Sequence, residues 1–256
     1  MNFKNKKIII ANWKMNPETS EEARKIFLSV RKKAQELSKT VVAVCPPFIF
    51  LSDFKKLYDK KISIGSQDVF WEEQGAHTGE ISVSQIAKLG GSFVIVGHSE
   101  RRRMGETNEM VNKKIKAVVD HGMTAVLCVG EEVRDEDGHY LQFLKDEITE
   151  SLKGLGKQFL DNLIIAYEPI WAIGKNDDDA MSPSDLHETT LYIRKILIEI
   201  YGKDWVMNIP IIYGGSVSSE NAEGLLFNGE AQGLLVGRDS LDTKKFCEIL
   251  EIADKK

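Results

Sequence analysis

Eight short apolar runs, separated by segments of helix length, constrain this chain more than any other feature. They span residues 7–12, 41–45, 63–66, 93–96, 124–129, 163–167, 209–213 and 233–236. Each has strand length and is apolar nearly throughout, the pattern of a strand buried on both faces. Helical patterns fill the gaps. Ala23, Ile26, Phe27, Val30, Ala34 and Leu37 recur at spacings of three and four, with Thr19 and Glu22 at capping-box spacing ahead of them. A second helix is predicted over about 183–200, with Ser182 as N-cap and Pro183 as its first residue, and a last one near 243–252. Strands alternating with helices imply parallel pairing through right-handed crossovers. A doubly wound open sheet requires a glycine fingerprint after its first strand, and none follows residue 12. The glycines at 154 and 156 follow no strand and read as helix ends. A closed eight-stranded barrel takes roughly 250 residues. This chain has 256 and no Pro/Gly/Ser-rich linker, so a single (β/α)8 barrel domain over 1–256 is expected.

Bulk properties exclude several functions. A net charge of -5 argues against nucleic acid and anionic membrane surfaces as partners. The apolar run after the basic start, Ile8-Ile9-Ile10, is far too short for a signal segment or a membrane span. Three widely spaced cysteines, Cys45, Cys128 and Cys247, suit a reducing cytosol better than a disulfide framework. The expected location is cytoplasmic.

In a barrel of this kind the chemistry sits where the strands end at their C-termini. The first strand ends in Asn12-Trp13-Lys14, the third in Gln67-Asp68, the fourth in Gly97-His98-Ser99-Glu100. The sixth ends in Glu168, after which Pro169 stops the ladder and the apolar segment Ile170-Trp171-Ala172-Ile173 leads to Gly174. A carboxylate under an apolar loop is a candidate general base, because loss of water raises a carboxylate's pKa. Gly214-Gly215-Ser216-Val217 and Gly237-Arg238 follow the last two strands and precede expected helix starts, where free backbone N–H groups bind phosphate. The net acidity means that an anionic substrate is drawn in by a local positive field.

These residues closely resemble triosephosphate isomerases. The resemblance runs from Ala11 to Leu241, through Ala11-Asn12-Trp13-Lys14-Met15-Asn16, Gly97-His98-Ser99-Glu100-Arg101-Arg102, Leu127-Cys128-Val129-Gly130-Glu131, 166–174, 213–217 and 233–237. It implies a TIM barrel and a cofactor-free, metal-free aldose–ketose isomerase that interconverts dihydroxyacetone phosphate and glyceraldehyde 3-phosphate through an enediolate. It implies Glu168 as base, a neutral His98 as electrophile, and Lys14 as fixed positive charge, with Glu100 paired to Lys14. Asn12 is implied to hold Lys14 and a substrate oxygen. Gly174, Ser216, Gly237 and Arg238 are implied to offer N–H groups to the phosphate, while Ile173 and Leu235 press on Glu168. Residues 169–174 are the implied lid. The long segment 67–80 is implied to reach into a second subunit of a homodimer, with Thr78 as the contact.

Two features depart from the family pattern. After Gly174 comes Lys175-Asn176-Asp177-Asp178-Asp179, about two residues longer than usual, and Arg238 stands where glycine is common. Both touch the phosphate end. They motivate an alternative, an isomerase of a longer ketose phosphate such as a tetrulose phosphate. A catalytically silent barrel used for binding is a second alternative, against which the joint presence of Lys14, His98 and Glu168 argues. The histidines show no metal-ligand spacing. Arg101-Arg102-Arg103 reads as internal ion pairing, and Ser99 as a hydrogen-bonding residue with no paired base.

Overall fold

The computed structural model describes residues 3–57, 59, 61–173 and 181–255. Eight strands close into one barrel in sequence order: β1 Lys7–Asn12, β2 Thr40–Cys45, β3 Ile62–Ser66, β4 Phe93–Val96, β5 Thr124–Val129, β6 Leu163–Tyr167, β7 Ile211–Tyr213 and β8 Gly233–Val236. Every adjacent pair is parallel, and β8 returns to β1 with Ile8 opposite Gly233. Five of the eight strands have the bounds expected from sequence. β2 and β3 each begin one residue earlier, and β7 two later. The shortening of β7 has a simple cause: Pro210 has no N–H to give, although its carbonyl still accepts from Ile165 N at 2.9 Å.

The lack of alternation in the strands is explained by two cores. Ile8, Ile10, Ala43, Cys45, Phe93, Ile95, Val126, Cys128, Ile164, Ala166, Ile212 and Leu235 form one cluster inside the barrel. Their neighbours along the strands, among them Ile9, Ala11, Val42, Val44, Val94 and Val96, join the larger cluster with the surrounding helices.

Among the described residues those helices are α1 Ser20–Glu36, α2 Phe48–Phe54, α3 Val83–Lys88, α4 Ser99–Arg103, α5 Asn108–Asp120, α6 His139–Ser151, α7 Pro183–Tyr201, α8 Lys203–Val206 and α9 Thr243–Asp254. Thr19 caps α1 by accepting from Glu22 N, and Ser182 caps α7 by accepting from Asp185 N with Pro183 as the first helical residue. After β7 the chain makes a wide π turn over Gly224–Asn228, and after β8 a short 3-10 turn over Arg238–Ser240. No helix among the described residues is long and apolar enough to cross a membrane.

Candidate active site

The exit of β1 carries the first charged group. Lys14 has φ +53°, in the left-handed region that non-glycine residues avoid. Nothing in the sequence announces this conformation. It is held locally by Asn12, whose Oδ1 accepts from Lys14 N at 3.1 Å. The Lys14 ammonium lies 2.7 Å from Glu100 Oε1. Burial works to raise the Glu100 carboxyl, but the Lys14 ammonium outweighs it and holds the group below the usual carboxylate range.

The exit of β4 carries the imidazole. His98 is the N-cap of α4, and its Nδ1 accepts from Glu100 N at 3.2 Å. A nitrogen that accepts cannot carry the proton, so this contact assigns the neutral tautomer with hydrogen on Nε2. α4 is only five residues long, and the ring is engaged by one aimed N–H, that of Glu100.

The exit of β6 carries the carboxylate. Glu168 is 2 % exposed, and its Oε1 lies 3.2 Å from His98 Nε2. Its Oε2 is 3.5 Å from Ser99 N. Ser99 therefore meets the site through its backbone, while its hydroxyl is buried without a partner. Two glycines make room for Glu168. A Cβ at Gly214 would press on Glu168 Cγ, and one at Gly130 would run into the Glu168 carbonyl. Cys128 lies against the same side chain. Burial first, and then the Glu168 charge, push the Cys128 thiol well up, so it is an inert wall and not a nucleophile.

The segment after Pro169 is pinned at its start. Ile170–Ala172 forms a 3-10 turn, with Trp171 Nε1 and Tyr167 OH both donating to Glu131 Oε1 at 2.9 Å. Ile170 N donates to the Glu131 carbonyl at 2.9 Å, and Ser216 Oγ donates to Ala172 O at 2.9 Å. Glu131 was quoted in the sequence only as part of a motif. Its role as the anchor of this turn becomes visible only when β5 and β6 lie side by side. Gly174 and the acidic run Asp177-Asp178-Asp179 lie outside the described residues.

Lys14, His98 and Glu168 line one cavity of about 530 Å³, together with Asn12, Ile173, Leu235, Gly214, Gly215, Ser216, Gly237 and Arg238. Gly214 clears space for Glu168 and packs beside Leu235. One expectation for the phosphate end needs correction. Gly237 precedes a three-residue 3-10 turn, not a helix, and α9 begins later with its N–H groups taken by Asp242. Any anion held there therefore uses individual N–H groups and not a long helix dipole. Arg238 is exposed at the cavity wall.

Other residues are used elsewhere. Arg101 pairs with Asp68 at 2.8 Å, and Arg102 with Glu147 at 3.1 Å, in line with internal ion pairing. Thr78 is exposed on the segment between β3 and α3, whose base is self-packed by Phe70 against Trp71 and His77. Among the described residues no group of three or more His, Cys, Asp or Glu is placed to hold a metal ion.

Comparison with known proteins agrees with this geometry. The family model described as "Triosephosphate isomerase" matches residues 7–253. Proteins named triosephosphate isomerase are similar along nearly their full length. That from Moorella thermoacetica is 41% identical over 95% of this chain and 97% of its own. That from Dictyoglomus thermophilum is 40% identical over 96% and 99%. That from Thermoanaerobacter pseudethanolicus is 39% identical over 95% and 98%. The chain belongs to the triosephosphate isomerase family.

Proposed function

We propose that this protein is a single-domain isomerase that interconverts dihydroxyacetone phosphate and D-glyceraldehyde 3-phosphate without a cofactor, by moving a proton between adjacent carbons. The observation that carries the reading is the meeting of Lys14, His98 and Glu168 on one cavity, from the ends of β1, β4 and β6. Glu168, stripped of water, takes the proton from carbon. His98 presents Nε2–H to the substrate oxygens and so donates to the oxygen on which negative charge develops in the enediolate. Lys14 supplies fixed charge for the developing oxyanion and the phosphate, oriented by Asn12 and by its pair with Glu100. Ser216, Gly237 and Arg238 hold the phosphoryl group, and Ile173 and Leu235 exclude water from Glu168. In the present arrangement Glu168 contacts His98 directly, so substrate must displace that contact before the carboxylate reaches carbon.

The same reading includes a homodimer and a cytoplasmic location. Met15 is 94% exposed, and Ile49, Met104 and Thr78 are also exposed. Apolar side chains of this size are what a homodimer interface would bury if they form one patch. Cys45, Cys128 and Cys247 are all unpaired, which suits a reducing compartment. Four-carbon ketose phosphates are the competing substrates, because Arg238 stands at the cavity wall and the sequence after Gly174 is longer than the family pattern. Purified protein is expected to convert glyceraldehyde 3-phosphate to dihydroxyacetone phosphate, read by a coupled assay, with higher kcat/KM than for a tetrulose phosphate. The reverse preference overturns the substrate, and no turnover of either overturns the isomerase.

A further inference from the structure

We propose that Gln67 is a positioning residue for Lys14, holding the lysine's backbone in the conformation that aims its ammonium into the cavity; this rests on the catalytic use of Lys14 given above. Gln67 is the first residue after β3 and is partly buried. Its Nε2 donates to Lys14 O at 2.8 Å and to Cys45 O at 2.9 Å. Both partners are carbonyl oxygens, so only the NH2 end of the amide satisfies them, and the chemistry fixes its orientation. One side chain thereby ties together the exits of β1, β2 and β3.

The contact falls on a strained point. Lys14 has φ +53°, a conformation that persists only where surroundings over-determine it. Here each peptide group of Lys14 is held by a side chain: Asn12 takes the N–H and Gln67 takes the carbonyl. The carbonyl of Cys45 also accepts from Trp13 N at 3.2 Å, so the amide is braced against the same stretch that it orients. Glu100 steadies the ammonium end but is half exposed and holds nothing of the backbone. Without Gln67 the Lys14 carbonyl loses its donor and the residue is free to relax toward negative φ, which swings the ammonium. Displacement of a charged group by about 1 Å can cost up to ~10²-fold in rate.

A double-mutant cycle tests this. Gln67→Met keeps the length of the side chain and removes both donors. In the otherwise native protein it is expected to lower kcat for glyceraldehyde 3-phosphate by about tenfold or more. In the Lys14→Ala protein the same change is expected to cost less than about twofold, because there is no ammonium left to aim. A merely structural role would lower activity equally in both backgrounds and track the melting temperature, and that result overturns the proposal, as does a native-like kcat for Gln67→Met. Gln67→Glu, which keeps the shape but cannot donate, repeats the cycle if the methionine variant folds poorly. A fully active Lys14→Ala protein, or an inactive native one, removes the underlying reading and the proposal with it. An active native protein with a costly Lys14→Ala and a harmless Gln67 change removes the proposal alone.

Discussion

The two ends of the barrel use the same residue types for opposite purposes. At the N-terminal end of the strands, charged side chains close off the backbone. Asp254 accepts from Ser38 N, Lys39 N and Thr40 Oγ1, tying the end of α9 to the start of β2. Lys7 donates to the carbonyls of Leu226 and Ala231, and Arg194 to those of Val206 and Ile209. At the C-terminal end the charges meet each other around an open cavity: Lys14 with Glu100, His98 with Glu168. There the backbone carries the strained conformation of Lys14, and Gly214 and Gly130 leave room for the side chain and the carbonyl of Glu168 respectively. One end ties its charges to fixed backbone groups, while the other pairs them with one another across an open cavity, and this separates stability from chemistry in the architecture.

That contrast can be broken by substitution at either end. Glu168→Gln is expected to lower kcat by ~10²–10⁴ while leaving the melting temperature nearly unchanged, since amide and carboxylate have the same shape. A near-normal rate removes Glu168 from its role. Lys14→Ala is expected to cost roughly 2.7–4 kcal/mol in kcat/KM, the loss of a pre-placed charge. A loss under about 1 kcal/mol would show that charge at this position is unimportant. Asp254→Ala should do the reverse, lowering unfolding free energy by about 1–2 kcal/mol, the range for a lost cap, with kcat unchanged. A changed kcat with unchanged stability would erase the distinction between the two ends.

The smallest effect is a pH dependence. Burial alone would raise the Asp254 carboxyl, but the Ser38 and Lys39 N–H groups hold it below its ordinary value. A carboxylate depressed in the folded state contributes stability that is present above its unfolded pKa and is lost as pH falls through the folded one. Denaturant midpoints of native protein should therefore fall on acidification below the ordinary aspartate range by more than those of Asp254→Ala. Equal slopes would show that the carboxylate is no better held in the fold than in the unfolded chain.

Much of this molecule was legible in the chain. Strand positions followed from apolar runs because every strand is buried on both faces, and α1 and α7 were marked by their caps. β7 was misjudged because Ile209 is apolar while Pro210 cannot enter the ladder. The candidate catalytic residues could be named because polar groups at strand ends are conspicuous against such runs. The site's support was not legible. Gln67, Gly214 and Glu131 act on residues 53, 46 and 40 positions away, respectively Lys14, Glu168 and Trp171.

The sequence by itself determined the architecture and the list of reactive side chains, because local periodicity and abrupt polarity are properties of neighbouring residues. Closure of the barrel decided the rest. It set the 3.2 Å approach of His98 to Glu168 and brought Gln67 onto the carbonyl of Lys14 at its left-handed turn. Each depends on a contact between separate strand ends, and no local pattern encodes either.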